Sequence, residues 1–155
     1  MLRTVLTGAA VLALDLFTKY LVQSRMAPHQ SIPVIRGFFH ITYVFNPGAA
    51  FGMLAHWRWF FVAIAAAVIV GILVYSRRPE ARQGLLPYAL GMVMGGAAGN
   101  MVDRLRYGTV VDFLDFFWDR WHFPVFNVAD TFIVTGVGLV LLVSFLEERR
   151  RGEAR

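Results

Sequence analysis

The sequence predicts an all-α membrane protein with four transmembrane helices, a small extracytoplasmic β-sheet between helices 1 and 2, and an interfacial segment between helices 3 and 4. Of the 155 residues, 57% are hydrophobic and only 16% are charged, and the mean hydropathy is +0.57. Soluble domains carry about 25% charged residues, so this composition favours a membrane protein. Long apolar runs, separated by segments that carry most of the charged residues, are the further observation behind this class.

Helices are predicted at residues 4–24, 57–75, 85–102 and 123–146. A helix needs about 20 mostly apolar residues to cross about 30 Å of hydrocarbon, and the first, second and fourth runs meet that length. The third run is shorter and rich in glycine, but it contains no charged residue. Asp15 and Lys19 interrupt the first run, so we expect a retained helix there and not a cleaved secretory signal.

Arginines divide unevenly between the two sets of segments that four crossings would create. Segments 1–3, 76–84 and 147–155 hold eight arginines in 21 positions, whereas segments 25–56 and 103–122 hold five in 52. Because positive charge concentrates on the cytoplasmic side, we expect both termini inside and the longer loops outside. The net charge of +5 is spread over these segments, so it does not indicate a face for nucleic acid.

The first outer segment, residues 31–52, is predicted to form the sheet. In FFHITYVF the odd positions from Phe39 to Phe45 are large and apolar, which is the period of a strand with one buried face. NPGAAFG at 46–52 then supplies a turn, because proline fixes one backbone angle and glycine permits a positive one. The strand edges would hold an extended peptide by strand addition.

Ionisable residues inside apolar helices are costly and usually face a cavity or a partner. Asp15 and Lys19 lie four residues apart on one helix face, which fits either a mutual ion pair or a direct contact with substrate. Asp130 has no basic residue within reach along its helix, so its partner must come from elsewhere in the chain. Asn127, on the same face, and Asn100, at the outer end of the third helix, are expected at the same depth.

Carboxylates gathered at one membrane boundary suit two chemistries. Two that share a proton can activate water and protonate a carbonyl oxygen, whereas three or four can bind a divalent cation. The second chemistry is the one that a metal-dependent intramembrane lipid transferase would use. A small proton-coupled carrier that uses Asp15 and Asp130 as its relay is a third alternative. The residues leave the partner of Asp130 open among four acids: Asp103, Asp112, Asp115 and Asp119.

Cysteine and histidine exclude several other kinds of site. The chain has no cysteine, which excludes disulfides, thiol nucleophiles and cysteine metal sites. The four histidines lie at positions 29, 40, 56 and 122 and lack the close spacing typical of a zinc site. These counts argue against a zinc site, and our expectation for the protein is that it uses neither a metal nor a cofactor.

Four segments resemble, in order, the signature blocks of bacterial lipoprotein signal peptidase, the type II signal peptidase. They are DLFTK at 15–19, NPGAAFG at 46–52, GGAAGNMVDRLRYGTVVDFLDF at 95–116 and FPVFNVADTFI at 123–133. The resemblance implies a multi-pass aspartic endopeptidase of the bacterial inner membrane, with cytoplasmic termini and an active site near the outer face. It implies cleavage of prolipoprotein signal peptides just before a cysteine that carries diacylglycerol.

The resemblance also assigns roles to individual residues. Asp112 and Asp130 match the catalytic pair of the family. Its supporting polar residues fall on seven positions: Asp15, Lys19, Asn46, Asn100, Asp103, Arg104 and Asn127. We expect Asn46 and the outer sheet to hold the substrate peptide, and Arg104 to bind a substrate carbonyl or to orient Asp112. The implied partners are lipidated prolipoproteins and membrane lipid, without nucleic acid, and the protein is expected to act as a monomer within one membrane domain, residues 1–155.

Overall fold

The computed structural model describes residues 1–48 and 53–153, with side chains described as far as Arg149. The helices of this part of the chain are α1 (Leu2–Arg25), α2 (Arg58–Tyr75), α3 (Leu86–Tyr107) and α4 (Val128–Glu153). The strands are β1 (Ser31–Ile35), β2 (Phe39–Asn46), β3 (Val110–Trp118) and β4 (Trp121–His122). A short 3-10 helix, Glu80–Arg82, connects α2 to α3.

Helix α3 lies at the centre of the helical layer, where it packs against α1, α2 and α4. Small residues allow this close packing. A side-chain carbon added at Gly96, for example, would lie 2.5 Å from the carbonyl oxygen of Ala129 in α4. The glycine-rich run of α3 therefore lets the other helices approach closely, which suits its central position.

Three helical segments of the described chain are long and apolar enough to cross a membrane: Leu2–Arg25, Arg58–Tyr75 and Val128–Arg149. They expose large apolar side chains such as Leu6, Val70 and Leu141, which suits contact with lipid. Helix α3 has 22 residues, or about 33 Å at 1.5 Å per residue, but much of it is covered by the other helices. Length and composition thus support three of the four predicted crossings.

The sheet is antiparallel and has the strand order β1-β2-β3-β4. The sequence predicts a sheet only between helices 1 and 2, whereas the segment between α3 and α4 adds β3 and β4 to it. Val110 and Val111 begin β3, and β-branched and aromatic residues such as those of β3 favour extended backbone. Asp112 pairs with Val44 of β2 in this register, so the sheet carries one of the two candidate catalytic residues.

The structure extends α3 beyond its predicted end at residue 102. Asp103 faces inward and pairs with Lys19 of α1, so the charged residues that suggested a loop lie in the last turns of the helix. Gly108, with a φ of 78°, then ends α3 in a left-handed conformation, which glycine adopts without steric cost.

The structure also moves the start of α4, from the predicted residue 123 to Val128. The preceding residues stay extended because Phe126 forms an antiparallel bridge to Leu114 of β3. The turn predicted at 46–52 can be followed only as far as Gly48, since residues 49–52 lie outside the described part of the chain.

Candidate active site

Lys19 of α1 is the centre of a buried ion cluster. Its ammonium nitrogen lies 2.8 Å from Asp15 Oδ2 and 2.9 Å from Asp103 Oδ2, and it donates a hydrogen bond of 3.0 Å to Asn100 Oδ1. Lys19 is 2% exposed and Asp15 is 0% exposed. An ammonium group has three donors, so these three oxygens satisfy it. Of the two interpretations that the spacing of Asp15 and Lys19 allows, the structure contains the ion pair.

The carboxylates of this ion cluster also hold the backbone of two neighbouring segments. Asp15 Oδ1 accepts a hydrogen bond of 2.9 Å from the N–H of Ala129, in the first turn of α4. Asp103 Oδ2 accepts one of 3.1 Å from the N–H of Val111 in β3. Gly99 leaves room for the Asp15 carboxyl group, which a side-chain carbon at that position would overlap. The cluster thus positions the segments that carry Asp112 and Asp130.

Asp112 is buried in β3, with 2% of its surface exposed. Its Oδ2 accepts a hydrogen bond of 2.9 Å from the Asn46 side chain at the end of β2. Its Oδ1 accepts one of 2.7 Å from the Asn127 side chain, which lies just before α4. Both carboxylate oxygens are therefore fixed by amide donors from separate elements.

The pairing of β3 with β2 contains a β-bulge, because the register shifts between Ile41 and Val44, the partners of Leu114 and Asp112. The N–H groups of Phe113 and Leu114 both donate to the carbonyl oxygen of Phe126, at 3.0 and 2.8 Å. Such a bulge adds a residue to one strand and changes the direction of the side chains around it. Asp112 and Asp115 both line one cavity beside this irregular part of the sheet.

Asp130 lies in the first turn of α4 and forms a reciprocal cap with Asn127. The N–H of Asp130 donates to Asn127 Oδ1 at 2.9 Å, and the N–H of Asn127 donates to Asp130 Oδ2 at 3.2 Å. This is the geometry of a capping box. Asn127 therefore precedes the helix as its cap, and does not lie on the helix face as the sequence prediction has it.

Two asparagine side chains connect the ion cluster to both candidate catalytic acids. Asn100 accepts from Lys19 and donates to Asp130 Oδ1 at 2.7 Å. Asn127 donates to Asn100 Oδ1 at 3.1 Å and to Asp112 at 2.7 Å. A single hydrogen-bond network thus runs from α1 through α3 to α4 and β3, and such buried networks fix side chains in one arrangement.

Burial changes the acidity of Asp112. Burial, and after it the charge on nearby Asp130, raise the pKa of this carboxyl group, whereas hydrogen bonds from Asn46 and Asn127 lower it; the net result is a pKa of about 7. Two carboxylates that influence each other in this way can share one proton near neutral pH.

Arg104, near the end of α3, contacts backbone and an aromatic ring. Its guanidinium donates to the carbonyl oxygen of Gly48 at 2.9 Å and to that of Asn100 at 3.4 Å, and it lies 4.7 Å from the centre of the Phe61 ring. It also attracts Asp112 and Asp130 electrostatically. Arg104 therefore holds the turn after Asn46 against α3.

Asp112 and Asp130 face a cavity of about 520 Å³. Its polar lining comes from the network around the two acids, and its other walls are mainly apolar, contributed by residues 123–126 and by α4. Within residues 1–48 and 53–149, histidine, aspartate and glutamate form no group of three or more that could hold a metal ion. The arrangement is a paired carboxylate site beside a large apolar space.

Comparison with known proteins assigns the chain to a family. The family model described as signal peptidase (SPase) II matches residues 7–146. The chain belongs to the signal peptidase II family. This membership confirms the resemblance that the four sequence blocks indicate.

Two relatives resemble this chain in sequence, and a solved structure resembles it in both sequence and fold. A lipoprotein signal peptidase from Symbiobacterium thermophilum is 56% identical and covers 97% of this chain and 98% of its own length. One from Brevibacillus brevis is 49% identical and covers 94% and 96%, respectively. A bacterial membrane enzyme solved by the in meso method at 2.3 Å resolution has a TM-score of 0.83 and 32% identity, over 94% of this chain and 88% of that chain.

The positions that match the signature blocks of signal peptidase II lie together in the structure. The two predicted catalytic acids and six of the seven predicted supporting residues are joined by side-chain contacts, and Arg104 joins them through backbone oxygens. The other acids considered as partners of Asp130 do not share its contacts with Asn100 and Asn127. Asp103 belongs to the ion cluster, Asp115 binds Thr42, and Asp119 is exposed in the turn after β3.

Sequence reasoning missed several groups that shape the site. The N–H of Ala129 and the carbonyl oxygen of Gly48 are backbone groups, and backbone groups have no signature in a sequence. The capping box was detectable, because an asparagine three residues before an acidic residue is typical of a helix start.

Proposed function

We propose that this protein is an intramembrane aspartic endopeptidase that removes signal peptides from prolipoproteins, cutting just before a diacylglyceryl-modified cysteine. The proposal depends on one observation above all: Asp112 and Asp130 face the same apolar cavity, and Asn127 bonds to both residues. Relatives that are 56% and 49% identical bear the name lipoprotein signal peptidase, which supports this substrate class.

The surroundings of the two acids support different roles for them. The pKa of Asp112 is raised to about 7, so a large share of this carboxyl group is protonated at neutral pH. Asp130 lies in the first turn of α4, where the helix dipole favours negative charge, and it accepts hydrogen bonds from Asn100 and Asn127. We therefore assign the shared proton to Asp112 and the ionised carboxylate to Asp130.

Hydrolysis then follows in two steps. In the first, Asp130 takes a proton from water, the water oxygen adds to the scissile carbonyl carbon, and Asp112 gives its proton to the carbonyl oxygen. In the second, the carbon–nitrogen bond breaks, Asp130 gives its proton to the leaving nitrogen, and Asp112 recovers a proton from the tetrahedral hydroxyl group. The pair ends with one shared proton, as it began.

The supporting residues act by positioning in this proposal. The ion cluster of Asp15, Lys19 and Asp103 holds β3 and the start of α4, because its carboxylates bond to their backbone N–H groups. Asn46 orients Asp112, and Arg104 holds the turn after Asn46. Fixed geometry of this kind lets two acids act on one bond without reorganisation.

The proposal places the whole chain in the bacterial inner membrane as a single four-span domain, with α3 as the fourth crossing. The arginine-rich segments support cytoplasmic termini, which puts the sheet and the two acids at the outer face. The substrate's apolar signal helix enters from lipid, and the apolar wall of the cavity along α4 suits it. We propose that the protein acts as a monomer on lipidated precursors, without a nucleic-acid partner.

A cleavage assay with defined peptides tests this function. The purified protein in lipid is incubated with a precursor peptide whose cysteine carries diacylglycerol, and with the same peptide unmodified, with and without EDTA. We expect mass spectrometry to find one cut, directly before the lipidated cysteine, at the same rate with the chelator. Loss of cleavage under EDTA that magnesium restores would instead support a metal-dependent enzyme, and vesicle transport without any cleavage would support a carrier.

A further inference from the structure

A second cavity, of about 480 Å³, lies beside the first. Asp112 and Asn46 line both cavities, and residues 123–125 form a wall that the two share. Asp130 lines only the first cavity. Asp112 therefore stands at the junction of two spaces, and a peptide bond held beside it has room for chain on either side.

The two cavities lead into different parts of the molecule. The first continues along α4 to Val134 and Thr135, in the helical layer. The second lies on the sheet, between the end of β2 and the middle of β3, where Val44 and Asp115 line it. A substrate that spans the junction would have an apolar arm among the helices and an extended arm along the sheet.

Asp115 gives the second cavity a fixed negative charge. Its Oδ2 accepts a hydrogen bond of 2.6 Å from Thr42, whereas its Oδ1 has no hydrogen-bond partner among residues 1–48 and 53–149. No lysine or arginine of that same part of the chain forms an ion pair with it. The carboxylate is half-buried, so it meets an incoming cation in partly desolvated surroundings, where charge attraction is stronger than in water.

A chain of hydroxyl groups orients this carboxylate. Ser31 lies 2.8 Å from the Thr42 hydroxyl and 3.1 Å from Nδ1 of His40. Because Thr42 uses its hydrogen on Asp115, Ser31 must donate to Thr42, and His40 must then donate through Nδ1–H to Ser31. All donors in the chain point toward Asp115, so they hold one oxygen in place and leave the other for a ligand.

We propose that the second cavity binds the residues that follow the scissile bond and that Asp115 selects a cationic side chain among them. The inference rests on the proposed function, in which the apolar signal segment occupies the first cavity and the mature chain leaves through the second. Asp112 and Asp115 are three residues apart along β3, so they are separated by at most about 10 Å at about 3.3 Å per residue. The selected position is therefore the second or third residue after the cut.

Two lipidated precursor peptides test this selection. They are identical except that one has lysine and the other glutamate at both the second and third positions after the cut, and kcat/KM is measured for each. We expect the wild-type protein to prefer the lysine peptide about fivefold, the effect of one partly exposed ion pair. Asp115→Asn should bring the ratio close to one, and Asp115→Glu, which keeps the charge, should retain the preference.

Asp119→Asn is the matched control, because Asp119 is exposed beyond the same strand and does not line either cavity. It removes the same charge and should keep the wild-type ratio. An equal lysine-to-glutamate ratio in wild type and Asp115→Asn, with both peptides cut normally, would overturn the selection by Asp115 and leave the proposed function standing. Failure of the wild-type protein to cut either peptide would overturn the proposed function and this inference with it.

Discussion

At Asp112, burial and hydrogen bonding act in opposite directions. Burial and the charge on Asp130 raise its pKa to about 7, whereas hydrogen bonds from Asn46 and Asn127 favour the ionised form. These opposing effects determine the fraction of protein molecules in which Asp112 is protonated at neutral pH. Because the mechanism needs that proton, activity should fall as the pH rises through about 7.

Asn46→Ala tests this balance. The change removes a donor that stabilises ionised Asp112, so the pKa of Asp112 should rise further. We expect the alkaline limb of the kcat/KM profile to move to higher pH, on the order of half to one unit, while kcat falls. A limb that stays in place or moves to lower pH would show that Asp112 does not control it.

Substitution of Lys19 distinguishes a structural role of this residue from a direct contact with substrate. Lys19→Met would leave two buried carboxylates, Asp15 and Asp103, without their cation, and such a loss costs about 3–5 kcal/mol of unfolding free energy. Adding Asp15→Asn and Asp103→Asn removes both charges and should restore most of that stability, as measured by reversible unfolding in detergent. If Lys19→Met keeps its stability but loses activity, the structural role is wrong.

At the scale of elements, α3 determines where the two acids meet. Its glycine surface brings α4 close at Gly96, and its polar last turns supply Asn100 and Asp103 to the network. The same helix therefore sets both the spacing of the helical layer and the position of the site. A small displacement of α4 should affect stability and catalysis together.

Gly96→Ala tests this coupling, with Gly138→Ala as its control. A methyl group at Gly96 would collide with the Ala129 carbonyl one residue before Asp130, whereas one at Gly138 meets nothing within 4 Å. We expect Gly96→Ala to lower the unfolding free energy by about 1–3 kcal/mol and to reduce kcat, while Gly138→Ala leaves both near wild type. Equal effects of the two changes would show that the spacing between α3 and α4 does not determine stability and kcat together.

At the scale of the whole molecule, the fold separates a helical layer from a sheet and puts the two acids where the layers meet. Asp112 comes from the sheet and Asp130 from α4. This boundary is where an enzyme that cuts next to a lipid anchor needs its catalytic groups, because water and acyl chains must both reach the site. The proposed topology puts this boundary, with the sheet, on the outer side of the membrane.

The natural absence of cysteine makes this orientation measurable. Two single-cysteine variants are suitable, Arg36→Cys and Arg78→Cys. Arg36 lies in the turn between β1 and β2, Arg78 lies between α2 and α3, and both residues are exposed. A membrane-impermeant thiol reagent should label position 36 in intact spheroplasts and position 78 only after permeabilisation. The reverse pattern would invert the proposed topology.

Sequence reasoning was strongest where a long apolar run or a signature block existed. Apolar runs predict α1 and α2 closely, and the four-residue spacing of Asp15 and Lys19 includes their ion pair as one of its two interpretations. The residues alone could not choose among Asp103, Asp112, Asp115 and Asp119, because the choice depends on the register of β3 and on its bulge. Both arise from long-range pairing with β2 and Phe126, which local patterns do not encode; the family resemblance supplied the choice.

Turnover of a lipidated precursor by Asp112→Asn and Asp130→Asn shows whether Asp112 and Asp130 form the catalytic pair. Asp119→Asn serves as the control, and thermal unfolding verifies that each variant is folded. Loss of a general acid or base costs about 10²–10⁴ in rate, so we predict a loss of at least about 100-fold for each, with the control near wild type. Near-normal turnover by either folded variant would contradict the account.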